Sequence, residues 1–281
     1  MVVLLLELRL TSQHSALVSG DVHKPSKKQT ETGASMLNVT ARQELLSRIA
    51  DTISIVVEEA RFDFSENGLN VRVVDPSHVA MVKLDVDAVA FETWEVEEAM
   101  VGLEMKKLKE LISLGGADDI ISMTYDGKGD VLMNLGKIDR SSRPLDNNTL
   151  NPPNLPNLDL PCSVTIRGSE LAQAFRAARQ VGDLVTLSLD QEKFTIHVSG
   201  PNDSVTVVYG KDELQGITCE SPAKSQYSLT YLVPLGKVFG SIESVTIAFG
   251  ENFPLAMDFT FSDGSGSVKY FLAPRVEQEG Y

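Results

Sequence analysis

The chain is poor in the residues on which catalysis and metal binding draw: two cysteines, four histidines and one tryptophan in 281 residues. Cys162 and Cys219 lack metal-ligand spacing, and two thiols in so long a chain suit a reducing compartment better than a disulfide framework. Both are expected as free thiols. His14, His23, His78 and His197 are scattered with no His-Glu-x-x-His, so no metal site or cofactor is expected. Every Gly-Lys pair, starting at Gly127, Gly136, Gly210 and Gly236, lacks the Ser or Thr that completes a phosphate loop, which excludes an ATPase of that type. Gly264-Ser265-Gly266 lacks the last glycine of a dinucleotide fingerprint and reads as a hairpin turn. Long apolar runs are missing too. Residues 2–10 are interrupted by Glu7 and Arg9 and are too short to span a bilayer, so no membrane partner and an intracellular protein are expected. Positive charge is scarce, at a formal net charge of −14, which argues against a surface coated with phosphate contacts unless the bases are gathered on one face.

What is present is a repeat. Residues 1–35 are polar and aperiodic after the first apolar run, either a flexible extension or an upstream mis-start before Met36. Beyond it, Leu45, Leu46, Ile49, Ile53 and Val56 recur at helical spacing, and residues 62–64, 69–74 and 79–86 read as strands, with Glu66-Asn67-Gly68 as a hairpin turn. A helix at 105–114 and strands at 120–125 and 131–138 repeat the order. A third unit has a helix at 170–181 and strands at 185–189, 194–198 and 205–209. The fourth has a helix at about 231–239, interrupted by Pro234 and Gly236, then strands at 245–249, 255–261 and 267–272. The expected fold class is α+β: two similar domains of antiparallel sheet with helices on one face.

Between the halves, residues 145–161 hold four prolines and five asparagines, which favours an extended linker. Leu155, Leu158 and Leu160 are apolar enough to pack on something, so the segment is either a strap on its own protein or one that also forms a partner groove. The expected divisions are an extension at 1–35, a first domain at 36–144, a linker at 145–163 and a second domain at 164–281. The helices concentrate the bases: Arg42, Arg48, Lys106, Lys107, Lys109, Arg176, Arg179 and Lys237 stand against Glu44, Asp51, Glu110 and Glu170, on a body that is otherwise strongly acidic. If all the helices lie on one side, their bases form a single stripe that binds phosphates without reading bases.

Asp75-Pro76-Ser77-His78 contains the residue types of a hydrolase triad, but neighbours in a turn cannot take triad geometry, and no Gly-x-Ser-x-Gly elbow exists. Turn formation accounts for Asp-Pro-Ser. His78 is left as either a core edge or a polar handle in an apolar pocket.

Taken together, these segments resemble the archaeal and eukaryotic sliding-clamp family, proliferating cell nuclear antigen (PCNA). The resemblance runs from Met36 to Glu279 and is carried by residues 74–82 (Val-Asp-Pro-Ser-His-Val-Ala-Met-Val) and 270–277 (Tyr-Phe-Leu-Ala-Pro-Arg-Val-Glu). Glu59-Ala60-Arg61-Phe62, residues 156–161, Val181-Gly182-Asp183 and Phe253-Pro254-Leu255 support it in order. The resemblance implies a trimeric, pseudo-sixfold ring around double-stranded DNA, bound without sequence preference. It also implies no enzymatic activity of its own, DNA polymerase and other replication and repair proteins as partners, and a separate clamp loader. Arg48, Arg176 and Lys237 correspond to the family's DNA-facing bases, with Arg42, Lys106, Lys107, Lys109 and Arg179 as looser candidates. The partner-peptide pocket maps to Val74, His78, Met81, Leu155, Pro156, Pro254, Phe271, Ala273, Pro274 and Val276. Glu110 and Ser113 stand where members often have lysine. The strand expected at the subunit contact is the polar run 139–144, which leaves a homotrimer and a specialised, checkpoint-type heterotrimer subunit both open.

Overall fold

The computed structural model describes residues 37–276, so the expected extension at 1–35, Met36 and the segment from Glu277 lie outside the described residues. The first half runs β1 (Leu37–Arg42), α1 (Gln43–Ser54), β2 (Glu59–Ser65), β3 (Gly68–Val74), β4 (Ala80–Asp87), β5 (Thr93–Val96), β6 (Ala99–Glu104), α2 (Met105–Ile112), β7 (Ile120–Tyr125), β8 (Val131–Leu135) and β9 (Ile138–Ser142). The second half repeats that order: β10 (Cys162–Ile166), α3 (Gly168–Arg179), β11 (Leu184–Leu189), β12 (Lys193–Ser199), β13 (Ser204–Gly210), β14 (Gly216–Cys219), β15 (Ala223–Ser228), α4 (Leu229–Leu232), α5 (Gly236–Phe239), β16 (Val245–Phe249), β17 (Leu255–Phe261) and β18 (Gly266–Leu272).

Strand alternation sorts the side chains. On β4, Ala80, Val82, Leu84 and Val86 are buried while Lys83 and Asp85 stay partly exposed, the period-two pattern of a sheet with one dry face. Three antiparallel sheets result, ordered β5-β1-β7-β8-β9, β13-β12-β11-β15 and the nine-stranded β14-β10-β16-β17-β18-β4-β3-β2-β6. The nine-stranded sheet crosses the seam between halves, where β18 pairs with β4 from Gly266↔Val86 to Leu272↔Ala80. Gly68 starts β3 at φ +145°, where an added Cβ would meet Val86 O at 2.1 Å, so the hairpin turn requires glycine.

The helices bury one stripe each, Leu45, Ile49 and Ile53 on α1 and Leu171, Phe175 and Ala178 on α3. They form one layer, α1 packing on α2 and α5, and α5 on α3. Gly168 allows the last approach, because a Cβ there would lie 2.5 Å from Phe239 O. Across the seam, Arg48 Nη1 donates to Ser241 Oγ at 2.7 Å.

Several elements differ from the sequence expectation. The run 131–138 is two strands, β8 and β9, folded back at Gly136 with φ +60°. The fourth helix starts earlier, at Leu229, passes through a 3-10 turn at Val233–Leu235 and resumes as α5, because Pro234 has no N–H for the ladder. Strands β1, β5, β6, β10, β14 and β15 carry weak sequence signals: β5 and β14 are four residues long, and β1, β6 and β10 run almost directly into helices.

Candidate functional site

Two surfaces gather the sequence candidates. The first is the solvent side of the helix layer. Arg48 and Glu44 on α1 form a 2.7 Å ion pair; Lys107 pairs with Glu104 at 2.7 Å, and Lys109 reaches from α2 to Asp51 on α1 at 2.5 Å. Arg42, at the β1–α1 junction, holds Glu92 at 2.8 Å, which raises the guanidinium pKa further, and Asp118 at 3.5 Å. Arg179 pairs with Asp183, one turn on. Lys106, Arg176 and Lys237 are exposed and make no ion pair among the described residues. All eight bases therefore lie on or beside one helix layer, but only three carry charge with no acid in contact. Exposed pairs are worth little to stability, and phosphate can compete for them.

One cation was not singled out from the sequence. Arg140 on β9 donates to Lys107 O at 2.9 Å and to Glu110 at 3.1 Å, tying the end of α2 to the edge strand. Glu110 thus has a structural partner in Arg140.

The second surface is the outer face of the nine-stranded sheet. Val74, Met81, Phe271 and Ala256 face one another in register across β3, β4, β18 and β17. Ala273 N donates to Val79 O at 2.8 Å and Arg275 N to Gln226 O at 2.7 Å, so the tail after β18 runs on past this row and crosses toward β15, carrying Pro274 between these two bonds; Val276 is exposed. Pro254 sits just before β17, and exposed Phe253 precedes it, held where Tyr227 Oη donates to Phe253 O at 2.7 Å. Leu155 and Pro156 are half-buried in an extended segment without regular structure. Among the described residues no hydrogen bond ties either of them to the row.

His78 is exposed, at φ +55°, and the turn carrying it is fixed by Asp75. The buried Asp75 carboxylate accepts Ser77 N at 3.1 Å, Val79 N at 2.6 Å and Ala80 N at 2.7 Å, and Tyr231 Oη from α4 at 3.2 Å. Burial, then the Asp75 charge, raises the Tyr231 pKa. All these bonds make Asp75 a clamp on the turn. His78 touches it only through its own backbone N–H to Asp75 O at 2.9 Å, so the two do not form an acid–base pair. The Asp-Pro-Ser turn was legible in the sequence; Tyr231, 156 positions away, was not.

Comparison with known proteins agrees with the repeat. Residues 36–148 match the family model of the proliferating cell nuclear antigen N-terminal domain, and residues 154–275 that of its C-terminal domain. The DNA polymerase sliding clamp of Methanocorpusculum labreanum is 34% identical over 248 residues, covering 87% of this chain and all of the relative. That of Methanosarcina mazei is 30% identical over 246 residues, with 87% and 100% covered. Among solved structures, A. fulgidus PCNA bound to the C-terminal region of FEN-1 superposes with a TM-score of 0.81 at 30% identity, covering 86% of this chain and 100% of that one. Sequence, domain order and architecture agree over both halves, and the chain belongs to the proliferating cell nuclear antigen family.

Proposed function

We propose that copies of this chain close into a trimeric ring around duplex DNA and act as a sliding clamp, a non-catalytic scaffold that tethers DNA polymerase and other replication and repair enzymes. The observation that carries this reading is the kinship between the seam inside the chain and the two edges left open. In the internal repeat β9 corresponds to β18, and β13 to β4. Within the chain β18 pairs with β4, while β9 and β13 each end a sheet. Pairing β9 of one copy with β13 of the next gives the order β5-β1-β7-β8-β9-β13-β12-β11-β15. That is the repeat counterpart of the existing nine-stranded sheet, and it removes both open edges. The contact is head-to-tail, and a head-to-tail contact that closes makes a ring. Each junction then carries the helix layer on the same side, so Arg48, Arg176 and Lys237 line the channel, with Lys106 adding free charge. Retention by encirclement needs only weak, salt-sensitive phosphate contacts, which suits a helix layer in which three of the eight bases make no ion pair among the described residues.

Domains at 36–144 and 164–281 and a connecting segment at 145–163 fit this reading, the segment forming one wall of the partner pocket with Leu155 and Pro156. Partner peptides place apolar anchors against half-buried Val74 beside His78, over the buried Met81 and Phe271, at roughly 1.5 to 3 kcal/mol per buried large side chain. The tail from Ala273 to Val276 offers strand addition to the same peptide. The relative solved with a FEN-1 segment bound supports a peptide site of this kind. A separate ATP-driven loader opens the ring. Among the described residues no helix is long and apolar enough to cross a membrane. The proposed location is with the chromosome, cytoplasmic and nucleoid-associated in an archaeal-like cell or nuclear in a eukaryotic one.

Polymerase extension with loader present tests the ring. Stimulation on a primed closed circle that disappears on a linear template with free ends is expected; equal retention on both overturns it. A second reading, a heterotrimer subunit, is favoured by one feature: Asp139, Arg140, Ser141 and Ser142 make β9 far more polar than its counterpart β18. Sedimentation of the purified chain separates the two, a trimer supporting the homomeric ring and a monomer the heteromeric one.

A further inference from the structure

One register row from Val74, Met81 and Phe271, on the same outer face, stand Arg72, Lys83 and Lys269, paired in register across β3, β4 and β18. Three cations side by side on hydrogen-bonded strands oppose one another. Their internal partners answer only part of that charge. Lys83 Nζ lies 2.6 Å from Asp85, whose other oxygen accepts Asn70 Nδ2 at 2.6 Å, and Lys269 Nζ lies 2.9 Å from Asp258. Arg72 makes no ion pair among the described residues, and its buried Nε has no hydrogen-bond partner. Nearby Asp63 is held by Arg61 through both oxygens, at 2.7 and 3.1 Å. A chain of strong negative charge thus keeps a cationic strip, with a guanidinium that makes no ion pair among the described residues at one end, directly beside its apolar anchor row.

We propose that this strip docks acidic residues flanking the apolar anchors of partner peptides, so that charge beside the anchors selects among partners. The inference rests on the pocket reading above. Adjacent rows on one face are about 7 Å apart, two residues of extended chain. A carboxylate one or two residues from an anchor therefore reaches the strip, and the planar fork of Arg72 suits a carboxylate best. Among the described residues the tail after β18 bonds Val79 and then Gln226 on β15, moving away from Lys269, and residues 273–276 carry no acid. The strip lies on the face opposite the helix layer, which sets it apart from the proposed DNA channel.

Fluorescence anisotropy with three synthetic peptides tests this. All share as anchor the C-terminal FEN-1 segment of the A. fulgidus PCNA complex; one carries Asp-Glu-Asp before it, one the same triplet after it, and one serines at both ends. In 50 mM salt, one acidic peptide is expected to bind about tenfold more tightly than the serine peptide. That advantage is expected to vanish in R72Q/K83Q/K269Q and in 0.5 M salt, while serine-peptide binding is unchanged. Glutamine keeps the aliphatic stems, and a melting temperature within a few degrees of the parent shows that the variant folds. Binding of the serine peptide with no acidic preference, or a preference that survives the triple substitution, overturns the strip alone. Displacement of the acidic peptide by a 20-bp duplex from the parent but not from the variant also overturns it, in favour of phosphate. No binding by any of the three peptides overturns the pocket reading and the strip with it.

Discussion

The two faces of the chain handle charge in opposite ways. On the helix layer the bases are interleaved with acids at helical spacing, Arg48 with Glu44 and Lys107 with Glu104, so most of the charge is matched locally. On the outer face of the nine-stranded sheet, charge and apolarity are sorted into neighbouring rows, because register lines up like positions across strands. A helix mixes residue types along its surface; a sheet bands them. The helix face is thus suited to a loose, non-specific ligand, and the outer face to a peptide that sits in one place. Within the helix layer a second contrast appears. The first half matches most of its bases, whereas in the second half Arg179 is paired but Arg176 on α3 and Lys237 on α5 make no ion pair among the described residues.

The strongest way to break the contrast is to unfix the outer face. Asp75→Ala removes the acceptor of three backbone N–H groups and of Tyr231. It is expected to cost about 3 kcal/mol in urea unfolding and to weaken peptide capture, with duplex affinity per folded molecule unchanged. Asp75→Asn, which keeps one carbonyl oxygen for Val79 and Ala80, is expected to cost clearly less.

A smaller effect sharpens the contrast inside the helix layer. Arg176→Gln with Lys237→Gln is expected to lower duplex affinity about tenfold near 0.1 M salt and to reduce the slope of log affinity on log salt by about 2. Lys107→Gln with Lys109→Gln, which removes bases already paired, is expected to cost only about two- to threefold. Equal losses in salt-titrated anisotropy would show that local pairing does not decide which bases meet phosphate.

The smallest effect on function probes the dry side of the sheet. Cys162 and Cys219 are free, buried and opposed across β10 and β14, with sulfurs 2.6 Å apart. Burial, and then the hydrogen bond with Cys219, pushes the Cys162 thiol up to about 12. At pH 8 its thiolate is scarce, so alkylation of Cys162 in the folded protein is expected to be on the order of 10³ slower than in denaturant, with little consequence for either ligand. Rapid native alkylation would mean that the sheet opens at this edge.

Much of this was legible in the sequence, because repeating hydrophobic periods and turn residues act locally. The α+β class, the four helical units, the glycine-dependent hairpin at Gly68 and the gathering of bases on helices all follow from residues a few positions apart. The family resemblance implied a set of candidate pocket residues, three of which, Val74, Met81 and Phe271, share one register row. Tertiary structure alone decided what depends on distant partners. Lys83 and Lys269 are neighbours only because β18 pairs with β4, and the Asp75 turn is held partly by a tyrosine 156 positions on. The ion pairing that separates Arg176 and Lys237 from Lys109 depends on packing between helices as well as within them. Local patterns choose the elements, but the register and packing between elements decide which charges are left to meet a ligand, since that energy exists only once the chain has closed.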